Sequence, residues 1–220
     1  MTQVATPAAR IALVIMTAGM VAAAPDGAFA QTAPATPGAS PSAPKGSTAA
    51  AAQKPGTAER RYPVGNHGYL ILQVPRDWKE QVRLTSSTAP STIVFGPPAG
   101  ADFTLLVTPT PPTLKRPTAL TREEMRAIVE RSAKSAKGWA AESDLPIREF
   151  QGRASSGFYI SATERAAKAG AHKFVTTGVL SAGELSVPFT ITSNDRGAVV
   201  QRALDVLKSA AQAPAAPVKP

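Results

Sequence analysis

The stretch "GYLILQVPRDWKEQV", residues 68–82, alternates apolar and polar positions, stops at Pro75 and reaches Trp78 three residues later. Leu70, Leu72 and Val74 recur at every second position, the period of a strand with one buried face. Proline brings no N–H to a ladder, so the strand is expected to end there. Trp78 then reads as a strand-end anchor that closes the edge of a core, the usual employment of a single tryptophan. On this reading the stretch opens the only folded domain of the chain and belongs to its framework.

Working outward, the same period of two recurs in "DFTLLVT", through Phe103, Leu105 and Val107, and in "LSVPFTI", through Leu185, Val187, Phe189 and Ile191. Between them "STIVFG", "GFYISATER" and "HKFVTTGVL" are rich in β-branched and aromatic residues and read as further strands. The connections "AAKAG" and "SAGE" are long enough only for hairpins, so the pairing is antiparallel. Pro188 predicts an edge position or a bulge for its strand.

Two segments change to a helical period. In "LTREEMRAIVERSAKSAKG", Thr121 and Glu124 have the spacing of a capping box. Met125, Ile128, Val129, Ala133 and Ala136 form one apolar stripe, and Gly138 supplies the stop. "GAVVQRALDVLKSAAQ" buries Val200, Ala203, Leu204 and Leu207, with Asp195 upstream as its cap. Both helices have one apolar face, which suits covering a sheet. The predicted class is α+β: an antiparallel β-sheet with a mid-chain helix and a C-terminal helix packed on it, within a single domain over residues 60–212.

The N-terminus predicts export. Arg10 precedes the apolar run 11–24, "IALVIMTAGMVAAA", and "AFAQ" follows, where Ala28 and Ala30 satisfy the small-x-small rule and place cleavage before Gln31. A run of 14 residues is short of the roughly 20 that a spanning helix needs. Residues 31–59 contain five prolines and nine alanines but no Ile, Leu, Val, Met or aromatic residue. Burial there cannot offset the entropy of ordering, so the segment reads as a disordered tether, and residues 213–220 as a disordered tail. The expected location is periplasmic or secreted, with no transmembrane segment after processing.

The order of elements, a strand ending in "VPRDW", two more strands, a helix ending in "GW", two hairpins and a final helix with "VLKS", resembles the PsbP-like fold. That is the family of the extrinsic photosystem II protein, which has bacterial exported members. The resemblance spans the whole domain, through Pro75 and Trp78 above all, and implies a binding or assembly module without enzymatic chemistry. It transfers no metal site and no partner-contacting residue, since no matching motif is present.

Reactive constellations are scarce. The chain has no cysteine, which removes thiol nucleophiles, thiolate zinc sites and iron–sulfur clusters. His67 and His172 have no metal-ligand neighbour at helical or strand spacing. There is no G-x-S-x-G elbow, phosphate loop or nucleotide fingerprint, and the single S-x-x-K, Ser42 to Lys45, falls in the tether. Glu123 and Glu124 answer the dipole of a helix start, and Asp77 reads as local turn chemistry. No catalytic, cofactor-binding or metal-binding residue is therefore assigned.

What remains is charge. The chain carries +9, and loss of residues 1–30 removes one cation, Arg10, and one anion, Asp26, so the balance persists. Lys115, Arg116, Arg122 and Arg126 gather at the start of the first helix against its dipole, a candidate face for an anionic partner. The expected partners are an envelope protein or an anionic envelope surface; the compartment and the lack of interleaved aromatics argue against nucleic acid. The sequence thus predicts a monomeric, exported, non-enzymatic binding or assembly module. A small-molecule or lipid carrier with an apolar pocket is the alternative, and an envelope enzyme built on two converging carboxylates is a third reading.

Overall fold

The structure, a computed structural model, describes residues 56–84, 90–100, 102–114 and 116–214. The export segment with Ala28, Ala30 and Gln31, nearly all of the tether, Lys115 and residues 215–220 lie outside that set.

The architecture is α+β, as the periodicities predict. A three-stranded sheet has the order β1-β2-β10, formed by Thr57–Pro63, Tyr69–Pro75 and Ala211–Ala213. A seven-stranded sheet has the order β3-β4-β5-β9-β8-β7-β6. Its strands are β3 Lys79–Arg83, β4 Thr92–Gly96, β5 Phe103–Val107, β6 Arg148–Gln151, β7 Ser155–Thr163, β8 Phe174–Ala182 and β9 Leu185–Ser193. All pairings are antiparallel. Helix α1, Arg122–Ala136, lies mid-chain, and α2, Ala198–Lys208, lies near the end.

The stretch 68–82 therefore serves two sheets. β2 is the centre of the small sheet and β3 the edge of the large one, and the chain turns between them at residues 75–78, where the Trp78 N–H donates to the Pro75 carbonyl. Trp78 is only 4% exposed. Its ring packs 4.7 Å from that of Phe103 and 6.3 Å from that of Phe95. Arg202 of α2 stands over the indole at 5.7 Å and reaches Asp77 at 3.5 Å, so the Asp77 side chain ties the turn to α2. A second tie joins the sheets further along: Tyr62 of β1 donates to Glu80 of β3 at 2.7 Å, and Arg60 donates to the same carboxylate. Burial, and then the Glu80 hydrogen bond, push the Tyr62 hydroxyl well above its ordinary titration range.

The large sheet is covered on both faces. Alternate residues of β4, β5, β8 and β9 point into a core shared with β2 and α2, including Phe95, Leu105, Leu180, Val187 and Ile191. The opposite parity of β7, with Phe158, Ile160 and Ala162, packs on α1 through Met125, Val129 and Ala136. Trp139, just past the helix, joins this second cluster. The Thr121–Glu124 capping box forms in full, a contribution of about 1 kcal/mol. Asp195 differs from expectation: its carboxylate accepts from the N–H of Gly197, the N-cap residue, and does not reach the first helical turn.

Two further expectations are corrected. The first strand begins at Thr57, inside the segment read as tether, and pairs along its whole length with β2. Its polar sequence concealed it, because only Tyr62 of the strand is buried. The strand holding Pro188 is central, not an edge, and regular across β8. The Pro188 carbonyl accepts from Thr108, so its missing N–H also faces β5, at the point where that ladder ends after Val107. The interruption is absorbed there, and pairing resumes at Thr110 and Ser186.

Replacing Trp78 by alanine is expected to lower unfolding free energy by about 3–5 kcal/mol, with Trp78→Phe recovering much of the loss. Denaturant unfolding followed by circular dichroism measures it; a loss below about 1 kcal/mol would mean that the two sheets do not depend on the indole.

Candidate functional site

A cleft lies beside α2, over β7. Its floor is Tyr159 and Ser161 of β7, its walls are Val200, Gln201 and Leu204 of α2 and the connection 142–148, and its volume is about 430 Å³. That is within the range of small-molecule sites. The lining mixes Val200 and Leu204 with Glu142, Asp144, Arg148 and Arg196. Such a rim suits a polar ligand better than an acyl chain.

Glu142 fixes the geometry of this cleft. One carboxylate oxygen accepts the Thr163 N–H at 2.8 Å, and the other accepts the Thr163 hydroxyl at 2.7 Å and the Arg196 guanidinium. Arg196 in turn stands over the Phe174 ring at 5.4 Å. Burial alone would raise the Glu142 carboxyl, but the Thr163 bonds, its backbone and Arg196 together outweigh it and hold the group down at about 2. Glu142 is thus a permanent anion that clamps the 142–148 connection to β7 and to the segment before α2. A proton-transfer group serving near neutral pH needs the opposite displacement.

Asp144 and Arg148, also on the rim, form no ion pair with any described residue. They are the charged groups of the cleft left available to a ligand. Two carboxylates, Glu142 and Asp144, line this cleft, yet they come from one connection, not from the distant segments a carboxylate enzyme would require, and Glu142 is already bonded to Thr163 and Arg196.

The predicted cationic face is partly internal in its bonding. Arg122 grips Glu149 of β6 with two bonds, 3.0 and 2.5 Å, and lies over the Phe158 ring at 5.5 Å. The Glu149 contact raises the Arg122 guanidinium and lowers the Glu149 carboxyl. Arg126 pairs with Glu130 one turn on. Arg116 is exposed, and its backbone closes a small turn with Thr113. His67 sits 3.9 Å from Glu184 at the far end of the β8–β9 hairpin, and His172 lies between β7 and β8. Among the described residues, no three His, Asp or Glu side chains converge as metal ligands would, and no helix is long and apolar enough to cross a membrane.

Sequence reasoning missed the cleft because its lining comes from three separated segments, around residues 142–148, 159–161 and 196–204. The available signal was the polar stretch "AESDLPIRE", too long and charged for a simple turn.

The state of Glu142 has a measurable consequence. A carboxyl held below its ordinary value near 4.5 contributes stability that is present above that value and is lost as pH falls toward about 2. Glu142→Gln should therefore melt below the wild type at neutral pH, and the difference should shrink through that acid window. Parallel melting curves at several pH values check it; a difference that stays constant down to pH about 2 would remove the clamp.

No family model matches the chain, and no curated protein matches it. Among solved structures, the chain is similar to the solution structure of cyanobacterial PsbP (CyanoP) from Synechocystis sp., with a TM-score of 0.44 and 14% identity, covering 70% of this chain and 92% of that one. A crystal structure from Bacteroides thetaiotaomicron matches with a TM-score of 0.36 and 11% identity, covering 72% of this chain and 49% of the other. Both are likenesses of fold, at identities that carry no residue and no activity across.

Proposed function

We propose that the domain is an exported, monomeric, non-enzymatic binding or assembly module, freed by cleavage after Ala30 and carried on the tether of residues 31–59, and that the cleft beside α2 is its recognition site. The single observation that carries this reading is the state of Glu142. The most perturbed carboxylate of the cleft is spent on holding a wall in place, while Asp144 and Arg148 face outward unpaired with any described residue. A rigid wall with a free anion and a free cation on its rim recognises polar groups without transforming them.

Native mass spectrometry of the purified protein after incubation with envelope extract tests the proposal. A bound species is expected that is lost in Asp144→Ala or Arg148→Glu while the melting temperature holds. Conversion of the bound compound by wild type, lost in either variant, would make the domain an enzyme.

An anionic envelope surface as partner has one specific support: Leu114 is fully exposed two residues before Arg116, in the connection that leads to α1. An apolar side chain followed directly in sequence by two cations, Lys115 and Arg116, is a pattern that anionic bilayers take up. Arg122 and Arg126 would contribute by exchanging Glu149 and Glu130 for lipid phosphates, since solvent screening leaves such exposed pairs weakly held. Binding to anionic vesicles should then fall steeply with salt and be reduced in Leu114→Ser and in Arg116→Glu. Equal binding to neutral vesicles would retire this surface.

A further inference from the structure

The edge strand β3 is unlike the rest of the molecule. All five residues, Lys79–Arg83, are exposed, and among the described residues the strand pairs only with β4. Among the described residues, the large apolar side chains left exposed are Val82 at 51%, Leu84 at 76% and Leu114. Two of these three are on or just after this one strand.

The direction of its backbone follows from the hydrogen-bond parity of the sheet. Thr108 donates to the Pro188 carbonyl, so the even-numbered residues of β5 turn their peptide groups to β9 and the odd-numbered ones turn to β4. Carried across the regular registers Ile93↔Val107 and Val82↔Ile93, this alternation turns Lys79, Gln81 and Arg83 toward β4. Glu80 and Val82 then present their N–H and C=O groups to the open edge.

Side chains divide by the same parity. Glu80 and Val82 lie opposite Phe95 and Ile93, on the face of the main core, and the Glu80 carboxylate is already bonded to Tyr62 and Arg60. Val82, with Leu84 two residues on, therefore continues the apolar inner face past the last strand. On the other face Lys79 and Arg83 flank Gln81, and neither cation pairs with a described carboxylate. Among the described residues, Arg83 bonds to Gln81, at 3.2 Å.

We infer that β3 is a docking edge for an extended segment of another protein that alternates acidic and apolar residues, added to the sheet as an eighth strand. Its backbone would take the free groups of Glu80 and Val82, its apolar side chains would cover Val82 and Leu84, and its carboxylates would meet Lys79 and Arg83. A second copy of this chain fits less well. Antiparallel pairing centred on Gln81 places Lys79 directly against Arg83, and pairing centred on Val82 makes the two copies of Arg83 diagonal neighbours. The net charge of +9 also draws an acidic partner. This edge is independent of the cleft, and its test does not depend on what the cleft binds.

The probe is a short peptide alternating glutamate and valine, compared with its lysine–valine counterpart, on the purified protein. The acidic peptide is expected to bind and to slow amide exchange at Glu80 and Val82 by about tenfold, leaving Gln81, already bonded to β4, unchanged. Val82→Pro removes an outward donor without touching the β4 ladder, so it should weaken binding by about tenfold or more while the melt is kept. The double variant Lys79→Glu, Arg83→Glu should shift preference to the lysine peptide, and it serves where the proline variant does not fold. Equal binding of the two peptides, or wild-type affinity in Val82→Pro, overturns the proposal. So does protection of Glu80 and Val82 in the protein alone that rises with concentration, which would assign the edge to a second copy.

Discussion

The turn at residues 75–78 imposes the constraint on which the rest of the structure depends. Two strands adjacent in the chain enter different sheets, so nothing in their own pairing holds them together. The joint must be made by side chains. Trp78 fills it from the inside against Phe95 and Phe103, and Arg202 closes it from the outside by lying on the indole. Tyr62 and Arg60, bonded to Glu80, secure the same junction from β1 of the small sheet. Because Arg202 belongs to α2, the helix that covers the main core is also tied to the joint between the sheets.

The elements legible in the sequence are those with one buried face and enough length to show a period. β2, β5 and β9 have uninterrupted alternation, and α1 has a stripe with a capping box in front of it. β1, β3, β6 and β10 lacked this signal for a common reason: they lie at sheet edges, where few side chains are buried. A sequence such as "KEQVR" is a strand because of what β4 offers it, not through its own preference. Pro188 was misplaced for a different reason. Proline removes one donor on one side only, and which side that is depends on the neighbours, not on the residue.

The functional groups were harder to read because their partners are remote in the chain. Glu142 acquires its character from Thr163, 21 residues away, and from Arg196, 54 residues away. Arg122 looked like a free cation at a helix start because Glu149, 27 residues on, reaches it only once β6 has folded beside α1. Charge counted along a helix measures what a side chain carries; whether that charge is available is a property of the tertiary structure.

The small sheet determines how the domain answers to force. β1 and β10 flank β2 and run parallel to each other, with Thr57 beside Pro75 and Ala213 beside Tyr69. The two points where the described chain enters and leaves are thus at opposite ends of one strand. Tension applied between them pulls β1 and β10 in opposite directions along β2 and loads their rungs together, in shear. Peeling them apart one rung at a time would need a pull across the strands, which this placement of the ends does not deliver. A domain so arranged resists being stretched along its own chain more stiffly than its modest third strand would suggest.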